Sequence, residues 1–114
     1  MLLQPRRPLL HVTAVRKTTI ARVVTDDLGE DAVHAVGEQL SRLVVGVDLL
    51  DLVVDLEDVR FLTSTALGKL LALHKRLRAA GGRLRLTGVG DPVYEVFRVT
   101  RLHEVLDVRP RLAS

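Results

Sequence analysis

Apolar residues along this chain recur at helical spacing in some stretches and in short continuous runs in others, and the switches between the two mark out its elements. Leu9 to Val15 and Thr18 to Val24 read as two strands, and the polar pair Arg16-Lys17 between them predicts an antiparallel hairpin. Over Gly29 to Val45 the apolar residues Val33, Val36, Leu40 and Leu43 return on one helical face. Leu50 to Leu56, with Val53 and Val54 at its centre, is the kind of apolar run that a strand buried on both faces requires. A long helix follows over Ser64 to Ala80. At about 100° per residue, Ala66, Leu67, Leu70, Leu73 and Leu77 gather on one side, with Leu71 at the border. Thr65, Gly68, Ala72, Lys75 and Ala79 lie opposite, flanked by Lys69 and Arg76. Arg83 to Thr87 predicts another strand. Asp91-Pro92 opens a helix to about Val99, because Asp can cap and proline costs no hydrogen bond in a first turn. Glu104 to Val108 forms a last short strand, which Pro110 keeps from extending. The order β-β-α-β-α-β-α-β implies an α/β fold, a mixed β-sheet with parallel central strands covered by α-helices. It fits a single domain over residues 9–114 after a flexible N-terminal arm at residues 1–8.

Composition narrows the chemistry. A chain of 114 residues buries enough of its own surface to fold without a metal or disulfide. It has no cysteine, which excludes thiol chemistry and Cys-ligated zinc. His11, His34, His74 and His103 are scattered, with no pair at the i, i+4 spacing of a helical metal site; no metal or cofactor is expected. The net charge of +3 conceals an asymmetry: residues 1–60 carry seven Lys/Arg and ten Asp/Glu, residues 61–114 ten and four. A basic half invites nucleic acid, but binders of single strands need aromatic platforms, and Phe61, Tyr94 and Phe97 all sit in apolar contexts that read as core. A basic face suits an acidic protein partner instead. Asp48, Asp51 and Asp55 interrupt the most apolar region, so no membrane span is expected. The opening Met1 to Pro8 lacks the form of a signal peptide, and the expected location is the cytoplasm.

The remaining chemistry concentrates where the strand ending at Leu56 leads into the long helix. Thr63, Ser64 and Thr65 place three hydroxyls at its start, and Thr63 or Ser64 is a natural N-cap. Unpaired first-turn N–H groups and the positive end of the helix dipole make the same place favourable for a phosphate.

These residues carry a resemblance. Asp55-Leu56-Glu57 followed by Phe61-Leu62-Thr63-Ser64-Thr65-Ala66-Leu67-Gly68 resembles the signature of the STAS domain, the fold of bacterial anti-sigma factor antagonists, in which an Asp-Ser-Ser/Ala-Gly-Leu-Gly run opens the second long helix. Ala79-Ala80-Gly81-Gly82, Arg83 to Val89 and Pro92 to Phe97 resemble the family's helix stop, next strand and following helix. Thr63 stands where the family has an aspartate, Ala66 where it has a glycine, and Thr25-Asp26-Asp27-Leu28-Gly29 replaces its Gly-Glu/Asp-Leu-Asp turn. The resemblance implies a non-enzymatic regulator that works by partner switching. Its partner would be an anti-sigma factor with a kinase-like ATPase fold, with a phosphatase as a further partner. Ser64 would be the phosphorylated residue and Thr65 the second choice; the helix wheel adds a low-relief stripe of small residues running down from the hydroxyls, so Thr63, Ser64, Thr65, Gly68, Lys69 and Ala72 are the expected partner surface. The alternative is a phosphorylation-independent STAS scaffold or sensor module in a larger signalling complex, which the residue at Thr63 favours.

Other chemistries fit less well. Ser64 lacks a Gly-x-Ser-x-Gly context. Gly88-Val89-Gly90 has Val93 where a dinucleotide loop needs its third glycine. Asp26-Asp27 and Asp55 resemble the acids of response-regulator receivers, but the intervening strand and helix are missing, and Thr87-Gly88 occupies the place of the receiver lysine.

Overall fold

The computed structural model describes residues 9–44 and 51–112. Strands β1 (Leu10–Val15) and β2 (Thr18–Val23) make the expected hairpin, with Val15 opposite Thr18 and Arg16 in the left-handed region at φ 56°. Then come β3 (Asp27–Leu28), α1 (Glu30–Val44), β4 (Asp51–Asp55), β5 (Phe61–Leu62) and α2 (Ser64–Ala79). The order ends with β6 (Arg83–Val89), α3 (Asp91–Val99), a 3-10 turn (Leu102–Glu104) and β7 (Asp107–Pro110). The expected element ends at Val45 and Leu50, and the arm at residues 1–8, lie outside the described residues.

Five strands form one sheet in the order β1-β2-β4-β6-β7, antiparallel only at the hairpin, while β3 and β5 pair in parallel in a separate ladder. One apolar cluster joins Leu52, Val54, Leu84 and Leu86 to Val36 and Leu40 of α1, Leu70 and Leu73 of α2, and Val93 and Phe97 of α3. Since those strand residues are alternate ones, α1, α2 and α3 cover the same face. Right-handed crossovers that step in one direction, β2 to β4 to β6 to β7, require this arrangement. The opposite face carries Thr18, Ile20, Asp51, Val53, Arg83 and Arg85, and among the described residues no helix covers it. Val53 is nevertheless only 8% exposed and stands outside the main cluster, flanked in register by Ile20 and Arg85. The central strand is thus buried on both sides, by helices on one and by neighbouring side chains on the other.

On that open face Asp51 ties three strands together. Its Oδ2 accepts hydrogen bonds from Thr18 Oγ1 (3.1 Å) and Arg85 Nη2 (2.8 Å), and Arg83 Nε lies 3.5 Å from Oδ1. Burial pushes the Asp51 carboxyl up, but the hydrogen bonds from Arg85 and Thr18 and the charges of Arg85 and Arg83 outweigh it and hold the group below its ordinary value.

At the other end of β4, Gly88 sits at φ +65° beside a register shift between β6 and β7. A Cβ there would lie 2.9 Å from Asp55 Oδ1 and 3.3 Å from the Glu57 nitrogen. The same Asp55 oxygen accepts the Glu57 N–H at 2.9 Å, so the turn leaving β4 is packed directly against glycine. The long helix ends as expected at Ala80-Gly81-Gly82: Gly81 takes φ +83°, and the Gly82 N–H closes on the Leu77 carbonyl at 2.7 Å.

Some expectations are corrected. Phe61 is 60% exposed rather than core, because alternation along β5 turns Leu62 inward and leaves Phe61 outside. Phe97 is fully buried, as expected, whereas Tyr94 is half-buried and packs against the core from its margin. The cap of α3 is Gly90, which offers no side chain; Asp91 lies one residue inside, in the first turn, with the proline beside it. The last strand runs over Asp107–Pro110 rather than Glu104 to Val108. Pro110 is accommodated because the Arg111 N–H, at 2.7 Å, supplies the bond to the Val89 carbonyl.

Two stability measurements follow. Gly88→Ala is expected to destabilise the domain by about 1–3 kcal/mol, from left-handed strain and the close approach of Asp55. Gly68→Ala, at a helical site with nothing within 4 Å, is expected to stabilise it by about 0.5–1 kcal/mol. Urea denaturation reads both, and shifts of the same sign would contradict the contrast. Because the folded-state value of Asp51 is depressed, its contribution is present above the unfolded-state value of about 3.9 and is lost as pH falls through the folded value. Asp51→Asn is expected to lower stability at neutral pH and to flatten the fall below about pH 4. Parallel acid limbs for the two proteins would count against this role.

Candidate functional site

The chain reaches α2 through a loop fixed at several points. Leu56 is fully buried and its N–H bonds the Thr87 carbonyl at 2.9 Å; Val59, 2% exposed, plugs the loop into the core. The N–H groups of Arg60 and Phe61 both reach the Asp26 carbonyl, at 2.7 and 3.1 Å, and start the β3–β5 ladder. Thr63 follows in extended conformation at φ −91°, ψ 168° and forms the N-cap. Its Oγ1 accepts the Ala66 N–H at 3.3 Å and donates to the Leu28 carbonyl at 3.4 Å, while its own carbonyl takes the Leu67 N–H at 3.1 Å. One hydroxyl therefore caps α2 and fastens it to β3.

The two hydroxyls that follow are free of structural duty. Ser64 and Thr65 are exposed, and among the described residues neither side chain has a hydrogen-bond partner. They occupy the first turn of α2, where backbone N–H groups have no intrahelical acceptor and the dipole is positive. Farther along, Gly68, Lys69 and Ala72 are exposed on the outer side, and a Cβ on Gly68 would meet nothing within 4 Å. The buried side consists of Ala66, Leu67, Leu70, Leu73 and Leu77, so the helix has the expected rotation. His74 is half-buried, with Nδ1 shielded and unpaired among the described residues. Lys69, Lys75, Arg76 and Arg78 give α2 four positive charges against no carboxylate, and a phosphate at its start would meet no repulsion from the helix itself.

Phe61, which the sequence pattern placed in the core, is exposed on the short strand that leads into the cap of α2. It is exposed three residues before Ser64, and large exposed aromatics are the residues that anchor protein interfaces. Only the period-two alternation of a two-residue strand could have revealed it, and two residues carry no detectable period. Among the described residues no group of three His, Asp or Glu side chains could hold a metal ion, and Asp55 is occupied by the turn it closes. No helix among them is long and apolar enough to cross a membrane.

Comparison with known proteins bears on the fold and the family. A family model described as the STAS domain matches residues 12–114. Over 58 residues the chain is 31% identical to the anti-sigma-B factor antagonist of Bacillus subtilis (strain 168), covering 51% of this chain and 53% of that protein. The chain thus spans about half the length of the curated relatives it matches. A solved anti-sigma-factor antagonist (STAS) domain protein from Planctomyces limnophilus superposes with a TM-score of 0.80 at 25% identity, over 91% of each chain. The Bacillus cell fate determinant SpoIIAA, solved in its phosphorylated form, superposes with a TM-score of 0.67 at 20% identity over 87% of this chain and 89% of that one.

Thr63→Ala removes the cap and its tie to Leu28, with an expected loss of about 1 kcal/mol, whereas Ser64→Ala is expected to change stability by less than about 0.5 kcal/mol. Thermal melts of the two variants check the division of roles. Equal losses would mean that Ser64 shares the structural work.

Proposed function

The chain belongs to the STAS domain family, and from that premise we propose that it is a cytoplasmic anti-sigma factor antagonist working by partner switching. Unmodified, it binds an anti-sigma factor of kinase-like ATPase fold through Thr63, Ser64, Thr65, Gly68, Lys69 and Ala72, with Phe61 as an added anchor, and so frees a sigma factor. The partner then transfers the γ-phosphoryl group of ATP to Ser64 Oγ, releasing ADP and ending the interaction, and a phosphatase restores the hydroxyl. The chain supplies no catalytic group to either step.

The observation that carries this reading is the division among the three hydroxyls: Thr63 is committed to the cap, while Ser64 and Thr65 stand exposed beside it. A phosphate adds a charge of about −1.5 to −2. At the positive end of an acid-free helix the fold tolerates that charge, but in a closed interface it would have to be desolvated. Modification can therefore break the complex without unfolding the domain. The relatives named as anti-sigma-B factor antagonists support the role, and the phosphorylated SpoIIAA structure supports a modifiable state of this fold. A second reading, a phosphorylation-independent scaffold or sensor module, draws on Thr63, which makes the cap with a neutral oxygen.

The test incubates the chain with its cognate anti-sigma factor and ATP and maps the modified residue by mass spectrometry. Modification at Ser64, with Thr65 as the secondary site, is expected. Folded Gly68→Leu and Phe61→Ala variants are expected to bind the same partner at least tenfold more weakly. Intact binding with neither hydroxyl modified would favour the scaffold reading.

A further inference from the structure

Between α1 and α2 lies a groove of about 260 Å³ whose floor is apolar: Val33, Val36, Leu40, Leu70 and Leu73. Its volume lies just below the range of about 300–1,000 Å³ typical of small-molecule sites and suits one large side chain better than a metabolite. The two rims differ. On α2 stand Lys69 and Arg76, and on α1 stand Glu38 and Ser41, with Arg76 Nη1 3.4 Å from Ser41 Oγ. At Gly37 the stem of Lys69 occupies the place of a side chain, since a Cβ there would fall 2.9 Å from Lys69 Cδ. The Lys69 ammonium is thereby held beside the groove.

The geometry points to this groove as an anchoring slot for an acidic, amphipathic helical segment of a protein partner. One Leu, Phe or Met of that segment enters the slot, and its Asp/Glu edge faces Lys69 and Arg76. Charge complementarity selects this occupant and also its orientation. The α2 rim attracts carboxylates with no acid on its own helix to neutralise it, while Glu38 repels them from the α1 rim. The inference rests on the reading of α2 as the docking helix and extends it sideways, from the outer face to the seam with α1. It also assigns an electrostatic part to the switch. Lys69 lies five residues beyond Ser64, about 8 Å along the helix axis, so a phosphate on Ser64 adds like charge beside an acidic ligand.

A displayed library of helical peptides selected against the folded chain tests the slot without the natural partner. Enriched peptides are expected to carry one large apolar residue flanked by Asp or Glu. They are expected to bind at least tenfold more weakly to Ser41→Phe, which fills the slot from the α1 side, and to the Lys69→Glu/Arg76→Glu double variant. Circular dichroism melts confirm that both variants fold, and if Ser41→Phe does not, Ser41→Leu takes its place. Failure to enrich acidic peptides, or binding indifferent to both variants, would overturn the slot. Displacement of the peptides by dodecanoate at equal concentration would overturn the protein segment as occupant in favour of an amphiphilic anion. The docking reading fails separately, if the anti-sigma factor binds Gly68→Leu as tightly as the parent chain.

Discussion

Successive right-handed crossovers, each stepping the same way across the sheet, place the helices of the described residues on one side, and the rest of the molecule answers to that arrangement. A single apolar layer must then hold α1, α2 and α3 to β4 and β6, which is why Leu52, Val54, Leu84 and Leu86 are buried together with Leu70, Leu73 and Phe97. Among the described residues, the opposite face has no covering helix and no second core. It relies on Asp51 bridging β2, β4 and β6, and on Val53 shielded within the sheet. The carboxyl ends of the parallel strands meanwhile deliver their loops to one edge, and the start of α2 is presented there.

Precision at that edge comes from backbone contacts more than from side-chain chemistry. Gly88 leaves room for Asp55 to close the turn out of β4, Leu56 and Val59 hold the loop in the core, and Asp26 gathers the N–H groups of Arg60 and Phe61. Thr63 is the last link, joined to β3 through Leu28 and to α2 through Ala66. With the helix start held by one hydroxyl, Ser64 and Thr65 stand exposed beside it. Under the proposed function, a charge added at Ser64 acts on whatever approaches α2 rather than on the domain's own packing. The same helix turns its apolar side to the sheet and an acid-free basic side outward.

Long periodic elements were legible in the sequence because many residues vote for the same face. The rotation of α2, with Ala66, Leu67, Leu70, Leu73 and Leu77 inward and Thr65, Gly68 and Ala72 outward, followed from the wheel alone. The cap at Thr63 was legible for a local reason, an acceptor oxygen just before an apolar-periodic run. Elements of two residues were not. The strands β3 and β5 exist only as each other's partners across more than thirty residues of chain, so nothing local announces them, and Phe61 was misplaced with them. The last strand was misplaced because a proline is a barrier only where the ladder needs a backbone N–H at its position, and here the Arg111 N–H makes that bond. The α1–α2 groove is a tertiary product: both apolar faces were visible, but the gap between them depends on how closely the helices meet.

At the centre of the account is the claim that Ser64 controls binding while bearing no structural load. The most direct measurement compares the affinity of the anti-sigma factor for unmodified and Ser64-phosphorylated chain, using samples whose melting curves are recorded alongside. The account predicts binding at least a hundredfold weaker after modification, with the melting temperature unchanged or raised. Equal affinity for the two forms, or weaker binding that comes with loss of the fold, would contradict it.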